Sequence, residues 1–238
     1  MLIGADTIEP DVAHHRRGRS SGSSLPRTTT SSLSRVRPPV EVDRLAAMTD
    51  FSIKPTLTGE LVVLRPFRDD DADAMWASFA DEESNRLTGT HETFTADQVR
   101  QWYATRNDQT DRLDLAVEDR ATGQCVGEVV LNDWNPDNRS CGLRILLTAA
   151  GRGRGLGTEA TRLTTYYGLD ELGLHRIELE VYAFNPRARR AYEKVGFVAE
   201  GVRRDALLWD GEWVDAVVMS MLESDPRPTA TSADPPSR

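Results

Sequence analysis

Four glycines at alternate positions, Gly151, Gly153, Gly155 and Gly157, stand between a short apolar run and a stretch with helical spacing. The run before them, Leu143 to Leu147, is branched and continuous, as a buried strand would be. After them, Ala160, Leu163, Thr164, Tyr167 and Leu172 share one helical side, which predicts a helix over 158–172. Glycines this dense bring backbone amides close to whatever they surround. The positive end of the helix points at the same turn, an arrangement suited to a phosphate. Next, Ile177, Leu179 and Val181 alternate with Glu178, Glu180 and Tyr182, the pattern of a second strand. Strand, helix and strand in this order form a right-handed crossover between parallel strands.

Other phosphate-binding turns fit less well. The dinucleotide fingerprint G-x-G-x-x-G needs glycine at 158, where this chain has Thr158. A nucleotide P-loop ends in Gly-Lys-Ser/Thr, which is absent. A plain surface turn leaves the matching flanks unexplained.

Arg152-Gly-Arg-Gly-Leu-Gly157 resembles the Gln/Arg-x-x-Gly-x-Gly/Ala pyrophosphate loop of the GNAT superfamily of acetyl-CoA-dependent N-acetyltransferases. Asn185, Ala188, Tyr192 and Gly196-Phe197 resemble that family's following motif, Asn-x-x-Ala-x-x-x-Tyr-x-x-x-Gly-Phe. The similarity covers about residues 57–222 and is nearest the branch of ribosomal-protein N-terminal acetyltransferases and their aminoglycoside- and polyamine-modifying relatives. One departure is Gly151, where the family often carries a larger residue; it bears on how the chain enters the loop.

The resemblance implies an α+β fold with one mixed, mostly antiparallel twisted sheet. A central parallel pair splays apart, and helices flank the sheet. It implies acetyl-CoA as co-substrate and an amine acceptor, either a small cationic molecule or a protein N-terminus. The amides of Gly153, Arg154, Gly155, Leu156, Gly157 and Thr158 would hold the pyrophosphate, with Arg152 and Arg154 adding charge. Backbone groups of Ile145 and Leu147 would pair with the pantetheine arm. Asn185 and Pro186 are a standard helix start, so Asn185 reads as a cap on its residues alone. By resemblance it also touches the coenzyme. Tyr192 lies two turns further along the same side. It reads either as a core tyrosine or, by resemblance, as the acid that protonates the departing thiolate, for which a phenol stays protonated at neutral pH. Glu128 and Glu178 both alternate against apolar neighbours and are open as general bases, beside ordered water.

Composition bounds the alternatives. The formal net charge is −9, and residues 1–47 carry 7 Arg against 5 acids, so the remaining body is the acidic part. That argues against general nucleic-acid binding and for a cationic partner. Residues 69–114 hold 12 Asp/Glu against Arg86, Arg100, Arg106 and Arg112, a candidate acceptor region or simply a set of helix-capping acids on a solvated surface. Trp76, Trp102 and Trp134 are open as cleft or core residues. Cys125 and Cys141 offer no metal spacing, no disulfide framework and no acyl-enzyme nucleophile, so a reducing, cytoplasmic setting and direct attack of the amine are expected. His14, His15, His91 and His175 are scattered, which predicts no metal. No apolar run reaches membrane-spanning length.

Residues 1–47, Ser/Thr-rich with Pro38-Pro39, lack an apolar face and are expected to be a disordered arm, or to precede a natural start at Met48. The domain is expected over 48–222 and a frayed tail over 223–238. Coarse elements are a strand at 61–67, a helix capped by Asp69, a helix opened by Thr95-Ala-Asp-Gln98 and running to about 107, and strands at 113–118 and 124–132. A loop at 133–139 follows, and beyond Phe197 come strands at 198–203, 207–209 and 213–221, the last two joined by Asp210-Gly211. A homodimer is compatible with this reading. So is a rival of another class, a non-catalytic acyl-CoA sensor.

Overall fold

The computed structural model describes residues 49–228. The expected arm at 1–47, the start at Met48 and the tail beyond 228 lie outside the described residues. One eight-stranded sheet organises the rest, in the order β1-β2-β3-β4-β5-β6-β8-β7. Its strands are β1 (Leu57–Thr58), β2 (Val62–Arg65), β3 (Leu113–Asp119), β4 (Gln124–Asn135), β5 (Ser140–Leu147), β6 (Arg176–Tyr182), β7 (Val198–Trp209) and β8 (Glu212–Leu222). Every neighbouring pair is antiparallel except β5–β6. The helices are α1 (Asp71–Phe79), α2 (Glu82–Thr88), α3 (Ala96–Ala104), α4 (Leu156–Asp170) and α5 (Pro186–Val195). This is the mixed sheet with a central parallel pair that the sequence implied.

Two apolar layers sandwich the sheet. On one face Leu156, Ala160 and Leu169 of α4 and Tyr192 and Val195 of α5 pack against Val129, Leu131, Leu143, Leu179 and Val181. On the other, Ala72 and Met75 of α1 and Val99 and Tyr103 of α3 pack against Ala116 and Leu146. Trp76 and Trp102 lie against this second layer, and Trp134 meets the Phe51 ring edge-on at 5.7 Å, so all three belong to the packing.

Several boundaries differ from expectation for identifiable reasons. Asp69 does not cap α1; the N-cap is Asp70, and its side chain makes no cap bond. Asp71 is drawn into a buried pair with Arg65 at 2.6 Å instead. The capping box at Thr95 and Gln98 forms, but α3 ends at Ala104 and a 3₁₀ turn covers Arg106–Asp108. Strand β4 continues to Asn135, through Asp133 at φ 53°. Strand β7 is continuous, its two expected halves joined across a register shift at Arg203/Leu207. Residues 223–228 dock rather than fray: the Glu223 amide donates to the His175 carbonyl at 2.9 Å, and Arg227 pairs with Asp170 at 2.8 Å. The helix α2 has no counterpart among the elements the sequence pattern predicts.

A buried carboxylate ties α4 to the sheet edge. Glu159 accepts from the backbone amides of Glu60, Leu61 and Val62 at 2.9, 2.6 and 2.9 Å. Gly59 is required beside it, because a Cβ there would stand 2.5 Å from the carboxyl. Glu159→Ala leaves three donors without their acceptor, of which the Val62 amide is the buried one, worth about 1–3 kcal/mol when unpaired. A loss of roughly 1–3 kcal/mol in unfolding free energy is expected, read by denaturant titration.

Candidate active site

The parallel pair is short. Strands β5 and β6 are in register only at Ser140↔Arg176, Cys141↔Ile177 and Gly142↔Glu178. Beyond Gly142 the two strands part, each still held on its outer side, β5 by β4 and β6 by β8. Ile145 and Leu147 fall on the stretch of β5 whose β6 side is left open. The gap is a cleft of about 520 Å³ lined by both strands, the glycine turn, α5 and α2.

The turn is built for close approach. After β5 the chain makes a 3₁₀ turn over Ala149–Gly151. Gly151 has no room for a side chain, since a Cβ would lie 2.8 Å from the Val126 carbonyl oxygen. Its departure from the larger residue common in the family therefore follows from packing. Gly153 and Gly155 adopt φ of 75° and 83°, where glycine alone is unstrained. Gly157 faces Leu147, with a Cβ position 2.9 Å from Cδ1. Gly155 caps α4 with no side-chain bond. Among the described residues, the amides of 153–158 donate to no protein acceptor. Six consecutive free donors at a helix N-terminus, with Gly153, Gly155, Gly157 and Thr158 on the cleft wall, are an anion site in the making.

The arginines of the motif are both tied to carboxylates, and of the two only Arg152 lines the cleft. Arg152 donates from Nε to the Leu147 carbonyl at 3.1 Å, and its guanidinium pairs with Asp81 at 2.6 Å and Glu83 at 2.7 Å. Arg154 pairs with Asp119 at 2.7 Å and is not part of the cleft wall. Positive charge reaches the cleft from α5, through Arg187, Arg190 and Lys194. The motif does not include these three, although their spacing of three and four residues puts them on one helical face.

Asn185 caps α5, its Oδ1 accepting from the Ala188 amide at 3.1 Å, and it lines the cleft. Tyr192 lines it as well, with its ring 6.1 Å from that of Phe197. Burial pushes the Tyr192 phenol up to about 12. Among the described residues its hydroxyl has no hydrogen-bond partner.

The two candidate bases are placed differently. Glu178 and Glu180 alternate with Leu179 and Val181, which belong to the α4–α5 layer, so both glutamates face the α1–α3 side. Both line the cleft. Glu178 is ion-paired with Arg176 at 3.0 Å and half-exposed. Glu128 is not on the cleft wall: it is 5% exposed, accepts from the Tyr103 hydroxyl at 2.9 Å, and stands 3.7 Å from Arg144, which does line the cleft. Burial raises the Glu128 carboxyl. Cys125 and Cys141 are pushed to about 12 by burial and do not line the cleft, so neither offers a thiolate.

Residues 62–198 match the acetyltransferase (GNAT) domain. The chain is 25% identical over 168 residues to the SPbeta prophage-derived uncharacterized N-acetyltransferase YokL of Bacillus subtilis, covering 71% of this chain and 93% of that protein. It is 30% identical over 117 residues to the spermidine N(1)-acetyltransferase of Escherichia coli, covering 49% and 61%. The fold is also that of the spermidine N-acetyltransferase from Vibrio cholerae crystallised with CoA and spermine, with a TM-score of 0.65 at 23% identity over 70% of this chain and 98% of the other.

Proposed function

Because the chain belongs to the GNAT acetyltransferase family, an acetyl-CoA-dependent acyltransferase family, we propose that it moves the acetyl group of acetyl-CoA onto a primary amine of a small, multiply charged cation by direct attack. The observation that carries this is the row of unpaired amides at 153–158, opening onto a cleft that two parallel strands form by parting after three residue pairs. Those donors fit the diphosphate of the coenzyme, and Arg187, Arg190 and Lys194 add positive charge along the same cleft. Acetyl-CoA supplies the activated acyl group. The open edge of β5 at Ile145 and Leu147 orients the chain that carries it, and Asn185 fixes the start of the facing helix.

Tyr192 is assigned the proton delivered to the departing sulfur, since burial keeps its phenol protonated across the working range. Glu128, behind Arg144, is assigned no direct role in proton removal. The acceptor's ammonium proton leaves to water or to Glu178. Glu178 and Glu180, paired with Arg176 and Arg203, line the cleft, and their carboxylates favour a cationic amine over an uncharged one. The spermidine acetyltransferases among the relatives support the same class. A protein N-terminus, as in the ribosomal-protein branch, is the competing acceptor. The two free thiols fit a reducing compartment.

A thiol-release assay across spermidine, spermine, an aminoglycoside and a peptide N-terminus tests the reading. The fastest CoA release is expected with a polyamine. Turnover with the peptide alone would move the acceptor class, and acetyl-CoA binding without turnover of any amine would favour the sensor.

A further inference from the structure

The helix α2 is seven residues long, and Ser84 is its one buried residue. Isolated helices of two turns are not stable in water, so its position is set by what holds its ends. Its N-terminal end is held from β5. Asp81 caps the helix by accepting from the Ser84 amide at 3.1 Å, and the same carboxylate takes Arg152 at 2.6 Å. Arg152 also grips Glu83 at 2.7 Å and the Ser84 hydroxyl. The guanidinium is in turn anchored by Leu147, the last residue of β5, and its side chain is only 9% exposed. The C-terminal end of α2 is held from the far side of the cleft. Gly89, at φ 68°, has no room for a Cβ, which would lie 2.7 Å from the Tyr182 hydroxyl at the end of β6. Arg86 lies over the Phe184 ring at 4.4 Å. The helix thus bridges the ends of the two strands that part, and Ser84, Leu87 and Thr88 form part of the cleft wall.

We infer that Arg152 is a positioning residue that locks α2 across the cleft and so fixes the acceptor side of the site, rather than a ligand of the coenzyme diphosphate. This rests on the acetyltransferase reading above. It follows from a guanidinium with four of its five N–H groups already engaged, by two carboxylates, a hydroxyl and a carbonyl, beside a loop whose own amides supply the free donors.

Two variants test it. Arg152→Gln removes the charge on the loop side. The double variant Asp81→Asn with Glu83→Gln removes it on the helix side, and Asn still caps a helix well. With spermidine as the probe amine, both are expected to raise its KM about fivefold to tenfold, with a smaller effect on kcat. Both should speed hydrogen exchange of the amides at 84–89 by about tenfold or more. Acetyl-CoA Kd, measured without amine, should stay within about twofold. The outcome that overturns the inference is a tenfold or larger rise in acetyl-CoA Kd for Arg152→Gln, with exchange and spermidine KM unmoved in the double variant. If Arg152→Gln does not fold, the double variant decides alone. If the wild type leaves spermidine unacetylated, the acceptor proposal fails, while the exchange and coenzyme-binding arms still decide the role of Arg152.

Discussion

Tyr192→Phe is expected to lower kcat by about 100-fold, the lower part of the range for a lost general acid, and to leave acetyl-CoA Kd within about twofold. The substitution keeps the ring, and with it the edge contact to Phe197 and the packing against the α4–α5 layer, so folding should be preserved. Only the hydroxyl is removed from the cleft. The pH profile gives a second reading. Burial places the phenol at about 12, above its usual value near 10, so the protonated form persists as pH rises. The wild-type rate should therefore climb through the alkaline range as the acceptor amine loses its proton, with no decline from Tyr192 until close to pH 12. The Phe variant should keep the climb at a lower level. A loss carried by acetyl-CoA affinity instead of kcat would return Tyr192 to the core.

The parts of this molecule that local chemistry decides were legible in its sequence. The Thr95–Gln98 box, the Asn185-Pro186 helix start and the glycine turn each depend on residues within a few positions, and each is found where expected. Asp210 and Gly211 adopt φ of 50° and 82°, the paired positive values their hairpin requires. What was not legible depends on partners far along the chain. The helix α2 had its start and stop signals, Asp81 and Gly89, but no apolar periodicity to draw attention between them, because it is held by its ends. Arg152 finds its carboxylates about seventy positions earlier, which no motif around 152 reveals. Glu128 and Glu178 follow the same alternating pattern, and only the path of the helices decides that one is sealed under Tyr103 while the other borders the cleft. The three tryptophans likewise went to packing once α1, α3 and Phe51 were in place.

Gly155→Val is expected to raise acetyl-CoA Kd by at least about tenfold, a loss near 1.4 kcal/mol. Gly155 holds φ 83° and ψ −11° at the start of α4, and the nearest atom to a Cβ added there is Leu61 Cδ1 at 3.4 Å. There is no clash, so the effect is conformational. A β-branched residue disfavours this region by roughly 1–2 kcal/mol or more and relieves the strain by rotating the adjoining peptides. Rotation there redirects the amides of 155–157, two of which, those of Gly155 and Gly157, belong to cleft-lining residues. Strain by itself also lowers stability, so a matched control is needed. Gly123 has φ 71° in the β3–β4 turn with nothing within 4 Å of its Cβ position, and it is not part of the cleft wall. Gly123→Val should lower the melting temperature about as much as Gly155→Val and leave acetyl-CoA binding unchanged. Equal binding by both variants would mean that the main chain at 153–158 does not grip the coenzyme, and the cationic face of α5 would have to do so alone. A loss confined to Gly155→Val ties affinity to the direction in which those amides point, because the two substitutions add the same atoms at nearly the same φ.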